Sequence, residues 1–297
     1  CLDLGGRFFH VGMKILGPLL ICLAISLISF VTYTFFVHAL PAMEDTGPAG
    51  QSGLVSLGLF LVTNTLYNYW KSICSDPGLP PNYKEALEIL AREPADDEIG
   101  ERPPPRQCGR CTRYKPPRTH HCSVCRRCVL KMDHHCPWIN NCVGFGNYRH
   151  FCLFLLFLFM SCAFVIVVFM TSFSEFIMHV RLRRRKFPDR TSRQCIMTSF
   201  MICCSIMIAL SILGGFHVYL VLTNQTTIEF QTNFMRRKEA RKNGEFFRNE
   251  YDLGRTRNFQ AVFGPNPLCR FRWLLPCVAQ KPSGDGLDFQ SISRLRI

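Results

Sequence analysis

Cysteine and histidine side chains are concentrated in one short stretch, residues 108–142, which reads CGRCTRYKPPRTHHCSVCRRCVLKMDHHCPWINNC. It holds seven of the seventeen cysteines and four of the nine histidines in the sequence. Zinc takes four nitrogen or sulfur ligands, and a C-x2-C step supplies two of them from one turn. The eleven side chains are enough for two such sites and leave three over. We look for chemistry among those three.

The tetrapeptide Asp133-His134-His135-Cys136 combines three groups that nucleophilic catalysis uses. A cysteine thiolate is a nucleophile, an imidazole can take its proton, and a carboxylate can fix the imidazole tautomer. Adjacency in sequence does not establish that these side chains meet. His134 could instead face solvent or lie behind a metal ligand, and Cys136 could itself bind metal. A zinc-binding segment without chemistry is therefore an alternative at this point.

Four long uncharged apolar runs lie on the two sides of the cluster, at residues 15–37, 52–70, 151–174 and 194–223. About 20 apolar residues suffice to cross a bilayer as a helix. The second run is the shortest and contains Asn64 and Asn68. The first run is too long for the apolar part of a signal peptide, and no small-residue cleavage pattern follows it. We therefore expect all four runs to span a membrane.

The runs predict an all-α polytopic membrane protein with four transmembrane helices. The cysteine-rich segment has few large apolar side chains and needs metal to fold, so we expect a small domain held together by zinc. It would lie in a cytosolic loop between the second and third helices. The expected segments are a head with helices 1 and 2 (1–72), the loop (73–150, with the cysteine-rich domain at 108–147), helices 3 and 4 (151–223) and a cytosolic C-terminal region (224–297).

The net charge of +14 is consistent with this topology, since Lys and Arg accumulate on cytoplasmic segments. Of the 35 basic residues, 28 fall in 1–14, 71–150 and 224–297, which four spans place on one side. The loop at 178–195 carries the other seven and departs from the pattern. Cysteines in the reducing cytosol indicate thiols and metal ligands, not disulfides. A nucleic-acid binder would suit the charge but not four spans, so we expect no nucleic-acid partner.

The motif C-x2-C-x9-H-C-x2-C-x2-C-x4-D-H-H-C-P-W-I-N-N-C-V-G-x2-N, at 108–147, resembles the cysteine-rich domain of the DHHC family of protein S-acyltransferases (palmitoyltransferases). Asp76-Pro77-Gly78 matches the DPG motif of that family after the second span. Thr226-Thr227-x-Glu229 matches its TTxE motif after the fourth span. Asn258 with Val262-Phe263-Gly264 resembles its C-terminal motif. The resemblance extends over about residues 10–265.

The resemblance implies that a long-chain acyl group, typically palmitoyl, passes from acyl-CoA to a thioester on Cys136. From there it passes to cysteine thiols of membrane-associated substrate proteins. His134 would be the general base, Asp133 would orient it, and Trp138 would pack near the thioester, whereas His120 has no assigned role. The resemblance also implies two structural zinc ions, one bound by Cys108, Cys111, His121 and Cys128, the other by Cys122, Cys125, His135 and Cys142.

We expect the acyl chain to lie among the spans of the bilayer and the CoA phosphates to stay at its cytosolic face. Five basic residues could attract those phosphates: Arg118, Arg126, Arg127, Lys131 and Arg149. The Golgi or the endoplasmic reticulum is the expected membrane, with the plasma membrane as another location. The competing interpretation is a non-catalytic, membrane-tethered zinc-binding domain that binds proteins.

Overall fold

The computed structural model describes residues 4–92, 105–178, 190–264, 282 and 284–293. The chain divides into two compact units. Most of the predicted basic loop at 178–195 lies outside the described residues. Unit 1 comprises Cys1–Gly17, Lys71–Arg149 and Val218–Ile297, and unit 2 comprises Pro18–Trp70 and His150–His217.

Helices dominate the described residues, which confirms the prediction of a mostly helical chain. Two short helical turns, Thr34–Ala39 and Pro41–Thr46, join the first two helices. The helices are α1 (Leu4–Tyr33), α2 (Gly47–Cys74), α3 (Tyr83–Arg92), α4 (Tyr148–Met178), α5 (Arg190–Leu222), α6 (Thr227–Lys242) and α7 (Arg255–Phe263).

Three helical segments of the described chain are long and apolar enough to cross a membrane, namely Gly12–Met43, Tyr148–Met170 and Arg190–Leu222. They contain the first predicted run and most of the third and fourth. Helix α2, which contains the second run, is not among them. The three apolar segments indicate a membrane protein, because apolar helices of this length have no comparable role in a small soluble domain.

Unit 2 has a buried apolar core whose residues include Phe35, Phe169 and Phe200. Its helices also make polar contacts with one another. The hydroxyl oxygens of Thr65 and Ser161 lie 3.1 Å apart. Hydrogen bonds between small polar side chains are a common means of association between membrane helices. On the outer surface of the unit, apolar side chains such as Ile212 are exposed (74%), as expected of a helix that faces lipid.

The cysteine-rich part of unit 1 folds as two antiparallel hairpins. Strand β1 (His120–Cys122) pairs with β2 (Arg127–Val129), and β3 (His134–Cys136) pairs with β4 (Asn141–Val143). The prediction of an all-α chain did not include these strands. A three-residue strand is too short to give a recognisable hydrophobic period, and these strands are rich in ligand residues instead of apolar ones.

The end of α2 is fixed to the second hairpin by an asparagine side chain. The last carbonyl groups of a helix have no partner within the helix. The Asn141 amide of β4 donates to three of these carbonyls, those of Ser72 (3.3 Å), Ile73 (3.1 Å) and Ser75 (3.0 Å). Helix α2 therefore ends against the strand β4, which contains the zinc-ligand candidate Cys142.

The turn after α2 is hydrogen-bonded to the same domain. The Leu130 amide donates to the Gly78 carbonyl at 2.8 Å, and the Gly146 amide donates to the Pro77 carbonyl at 3.0 Å. Gly78 has a φ of +109°, a conformation that other L-residues rarely adopt. The Asp76-Pro77-Gly78 motif is thus hydrogen-bonded through its backbone to the loops next to the hairpins.

Candidate active site and metal centres

Two groups of four cysteine and histidine side chains come together in the described part of unit 1. Within each group, the ligand atoms all lie within 4.8 Å of one another. These are the same two sets that the family resemblance implies. One group is Cys108, Cys111, His121 and Cys128, and the other is Cys122, Cys125, His135 and Cys142.

The register of the hairpins explains how each group forms. His121 pairs with Cys128 across the first hairpin, and His135 pairs with Cys142 across the second. Each hairpin therefore supplies one imidazole and one thiol from directly opposite positions. A C-x2-C step completes each group, and the step of the second group begins at Cys122, in the first hairpin. The two groups thus tie both hairpins together.

The donor atoms are spaced nearly as a tetrahedral zinc ion requires. With Zn–S bonds of about 2.3 Å and Zn–N bonds of about 2.0 Å, neighbouring ligand atoms should lie roughly 3.5–3.8 Å apart. The Cys125 sulfur lies 3.3 Å from His135 Nδ1 and 3.4 Å from the Cys142 sulfur. In the other group, the Cys111 and Cys128 sulfurs are 3.4 Å apart. Both groups could therefore hold a zinc ion.

The thiols within each group differ in how readily they ionise. Backbone N–H groups, first that of Arg110, lower the pKa of Cys108 to about 6, although burial acts against them. In the second group, the thiol of Cys125 lowers the pKa of Cys122, whereas the contact with Cys122 raises the pKa of Cys142. Thiols this close cannot all ionise without a neighbouring positive charge, which a bound metal ion would provide.

Strand β3 brings the reactive residues together. Successive side chains of a strand point to opposite faces. His135, which belongs to a metal group, therefore separates His134 and Cys136, which share the other face. The His134 imidazole forms a hydrogen bond with the Cys136 thiol. Cys136 is buried, with 7% of its surface exposed.

Asp133 holds the other side of the His134 ring. Its Oδ2 atom lies 2.7 Å from His134 Nδ1, which leaves Nε2 as the ring nitrogen available to the thiol. Thr227 donates twice to this carboxylate, from its backbone N–H (2.9 Å) and from its hydroxyl (2.7 Å). Burial acts to lower the pKa of His134, but the hydrogen bonds to Asp133 and Cys136 raise it to about 9. A ring that holds a proton near pH 7 stabilises negative charge on the neighbouring sulfur.

The first turn of α6 keeps Thr227 in position. Thr226 and Glu229 form a reciprocal capping box, in which the Thr226 hydroxyl accepts from the Glu229 amide and the Glu229 carboxylate accepts from the Thr226 amide. Arg118 binds the same carboxylate through two bonds of 2.6 and 2.7 Å. Although burial acts to raise it, the charge of Arg118 holds the pKa of Glu229 below its usual value.

The five basic residues expected to attract CoA phosphates differ in exposure. Arg126 is exposed, and Arg127 and Lys131 are partly exposed. Arg118 and Arg149 are buried, with 7% and 6% exposed. The guanidinium of Arg118 is engaged with a carboxylate, a structural role that the sequence did not indicate. Contact of any of the five with CoA remains a prediction.

Trp138 lies next to the reactive strand, in a short helical turn, Pro137–Ile139. The indole is 48% exposed, whereas Ile139 is fully buried and anchors the turn. Asn140 ends the turn in a left-handed conformation, with a φ of 47°. An exposed indole so close in sequence to the buried Cys136 suits the predicted packing near a thioester.

Asn224 supports the site in a way that was not predicted from the sequence. Its side-chain oxygen accepts hydrogen bonds from Arg118 (3.2 Å) and Lys131 (3.2 Å), and its amide donates to the Tyr251 carbonyl at 2.8 Å. The sequence offered no signal for these contacts. The capping box at 226–229 did have one, since Thr-x-x-Glu is its usual pattern.

Comparison with known proteins identifies relatives of the whole chain. A family model described as DHHC palmitoyltransferase matches residues 101–233. Probable protein S-acyltransferase 16 of Arabidopsis thaliana is 32% identical over 273 residues, which cover 91% of each chain. Probable protein S-acyltransferase 15 of the same plant is 35% identical over 87% of this chain and 98% of its own. Palmitoyltransferase ZDHHC2 of Mus musculus is 36% identical over 75% of this chain and 62% of its own.

Proposed function

The chain belongs to the DHHC palmitoyltransferase family and is a protein S-acyltransferase, and we propose that Cys136 is its nucleophile. The donor is a long-chain acyl-CoA, typically palmitoyl-CoA, and the acceptors are cysteine thiols of membrane-associated proteins. The observation that carries the proposal is the line of hydrogen bonds from Thr227 through Asp133 and His134 to Cys136. This is the order of contacts that activates a thiol nucleophile.

In the first step, the proton of the Cys136 thiol already lies on His134, and the Cys136 thiolate attacks the carbonyl carbon of the acyl thioester. The bond between that carbon and the CoA sulfur then breaks. His134 returns the proton to the departing CoA thiolate. The products are free CoA and a thioester on Cys136.

In the second step, a cysteine of the substrate protein gives its proton to His134 and attacks the Cys136 thioester. The bond to Cys136 breaks, and the proton stays on His134 beside the restored Cys136 thiolate. Asp133 accepts from His134 Nδ1 throughout, so the ring keeps the orientation in which Nε2 faces the reacting sulfur atoms. Thr227 limits the movement of this carboxylate through its two hydrogen bonds.

The two ligand groups are proposed to hold structural zinc ions. When bound, zinc would supply folding free energy to a segment that has little apolar core of its own. The chemistry stays with β3, because His135 is bound on one face of the strand while His134 and Cys136 occupy the other. The rigidity of the hairpins then fixes the distance between base and nucleophile.

The proposed topology has four spans, with α2 as the second. Its polar residues Asn64, Thr65 and Asn68 lower the apolar character of the run, but they are buried inside unit 2, with 1%, 1% and 2% exposed. They would therefore not meet lipid. In this topology, the cysteine-rich loop and the C-terminal region face the cytosol, and the predicted segments 1–72, 73–150, 151–223 and 224–297 follow. A Golgi or endoplasmic reticulum membrane is the proposed location.

The sequon Asn224-Gln225-Thr226 lies on the cytosolic side in this topology. Glycan transfer requires an accessible asparagine in the lumen. Asn224 is buried (8% exposed) and hydrogen-bonded through its amide, so we expect no glycan on it.

Labelled palmitoyl-CoA tests the proposed function. Purified protein in detergent or vesicles is expected to take up label that hydroxylamine releases, because a thioester is sensitive to this nucleophile. Peptide mapping should locate the label on Cys136, and a second incubation with a cysteine-containing acceptor should remove it. A chain that keeps its metal but takes up no label would instead be a membrane-tethered binding protein.

The His134→Ala variant is expected to lose acylation while it keeps zinc. Without the imidazole, the thiol proton has no acceptor in place, and general-base catalysis is worth about 10²–10⁴-fold in rate. The measurement is the rate of acyl-enzyme formation, with metal content determined on the same sample.

His120→Ala is the matched control for this variant. His120 occupies β1 one residue before the ligand candidate His121, as His134 in β3 precedes His135. It has no assigned role in transfer, so this variant is expected to acylate at nearly the wild-type rate. A normal rate in His134→Ala would remove His134 as the base.

A further inference from the structure

A segment near the end of the described chain, residues 284–293, packs onto the part of unit 1 that supports the active site. It lies beyond the 101–233 region that the family model matches. Phe289 is its central contact. The Phe289 ring lies 6.3 Å from the ring of Phe145 and 6.3 Å from the ring of Tyr251, and it is 4.9 Å from the guanidinium carbon of Arg118.

The chain is anchored on both sides of Phe289. The Ile292 amide donates to the Glu250 carbonyl at 2.8 Å, and Ser291 is buried with 8% exposed. On the other side, Gly286 lies so close to the Phe145 ring that a side chain there would collide with it. Gly286 has a φ of +80°, which also favours glycine. These contacts hold Phe289 at a defined place.

Phe289 completes the enclosure of a buried charge. The Arg118 side chain is 1% exposed, and two of its nitrogens bind Glu229. The Tyr251 ring lies 4.3 Å from the guanidinium carbon. Because the Tyr251 and Phe289 centroids are 6.3 Å apart, the two rings lie on adjoining sides of the guanidinium. Aromatic faces attract a guanidinium and exclude water from it.

We propose that Phe289 is a positioning residue for acyl transfer. Through Arg118, it helps to hold Asp133, whose carboxylate orients the general base His134. Phe289 contacts Arg118, and Arg118 holds Glu229 by two bonds. Glu229 closes the capping box of α6, whose first residue, Thr227, donates twice to Asp133. Loss of the Phe289 ring admits water to the ion pair and lets the first turn of α6 move. Asp133 and the imidazole that it holds then lose their fixed position.

The test compares substitutions of Phe289 in the full-length protein, and it rests on the proposed function. Phe289→Ala is expected to lower kcat for acyl-enzyme formation by about 10-fold, since small displacements of catalytic groups cost about that much or more. The KM for palmitoyl-CoA should stay within about twofold of the wild-type value, because a positioning residue acts on the catalytic groups and not on substrate binding. Phe289→Trp should restore kcat, because an indole also attracts a guanidinium.

Phe246→Ala is the matched control, since Phe246 is 91% exposed, and it should keep the wild-type kcat. The double variant that combines Phe289→Ala with Thr227→Val then tests whether Phe289 acts through Thr227. If Phe289 acts through Thr227, the double variant should be no slower than Thr227→Val alone, whereas independent effects would multiply.

Several results would overturn the proposal: a wild-type or higher kcat in Phe289→Ala, an effect confined to KM, no recovery with Trp, or multiplied effects in the double variant. Failure of this inference is separate from failure of the proposed function. The proposed function fails only if the wild-type protein itself takes up no label on Cys136.

Discussion

The Cys136→Ser protein is expected to carry no acyl label after incubation with labelled palmitoyl-CoA. A serine hydroxyl remains un-ionised near neutral pH, and the positive imidazole beside it cannot turn it into a thiolate-like nucleophile. The rate of acyl-enzyme formation should fall by at least about 10³-fold, below ordinary detection. The measurement is hydroxylamine-labile label on the purified protein, quantified per molecule.

The substitution leaves the rest of the site intact. Serine differs from cysteine only in carrying an oxygen atom in place of sulfur. The hydrogen bonds between Asp133 and Thr227 are therefore kept. The variant should therefore keep its metal content and thermal stability. This separates loss of the nucleophile from loss of the fold.

Cys74→Ser is the control for the label. Cys74 is an exposed thiol at the end of α2, outside both ligand groups. If acyl-CoA simply reacted with accessible thiols, label would persist in Cys136→Ser and fall in Cys74→Ser. We expect the opposite result for both variants. Persistent hydroxylamine-labile label in Cys136→Ser would exclude Cys136 as the acyl carrier.

The sequence contained most of the candidate site, because that site is built from residues close together in the chain. In an extended strand, neighbouring side chains point to opposite faces, so His135 lies on one face and His134 and Cys136 lie on the other. The C-x2-C steps indicated metal sites, whereas the family resemblance implied the two groups of four ligands. In the structure, one histidine of each group pairs with a cysteine across a hairpin. Local spacing therefore indicated metal binding, and the resemblance implied which residues would bind each ion, even though the strands themselves were too short to recognise.

The contacts that support the site could not be predicted in the same way. Arg118 and Glu229 are more than one hundred residues apart, and nothing in their local sequence indicates an ion pair. Arg118 was assigned to CoA because a basic residue in a cytosolic loop suggests a phosphate ligand. Its burial against Tyr251 and Phe289 depends on how distant segments pack, which composition and spacing do not determine.

Helix α2 shows the same difference between local and tertiary information. Asn64 and Asn68 reduce the apolar character of the second run. In the structure, they are buried, and Asn68 accepts or donates a hydrogen bond with His150 at 3.1 Å. A polar residue that is hydrogen-bonded inside a helix bundle, as Asn68 is, costs less than its hydropathy suggests. Sequence alone could not distinguish this arrangement from a helix outside the membrane.

Substitution of a single proposed zinc ligand is expected to unfold the cysteine-rich domain. Cys142→Ala is the variant with the largest expected effect. The small core beside the hairpins consists of Cys122, Val129, Met132 and Cys142, so two of its four buried residues are ligand candidates. So small a core cannot offset the conformational entropy of the segment. Structural zinc contributes about 10–16 kcal/mol in comparable small domains, and one lost ligand removes much of that.

The expected results for Cys142→Ala are a fall in zinc content below two ions per chain, new protease cleavage within residues 105–147, and loss of acyl label. Cys74→Ala, which removes an exposed thiol outside both ligand groups, should show none of these changes. A strong chelator should reproduce the Cys142→Ala result in the wild-type protein. A variant that kept two zinc ions and full label would refute the assignment of this ligand group.

The Cys142→Ala experiment also separates the two roles of β3, which are metal binding through His135 and catalysis through His134 and Cys136. Cys142 faces His135 across the second hairpin, and His135 lies between the base and the nucleophile. Loss of the metal should therefore free His134 and Cys136 together, although neither residue has been changed. His134→Ala removes the base and leaves the strand in place. If zinc acts only through rigidity, Cys142→Ala loses fold and label together, whereas His134→Ala loses label alone.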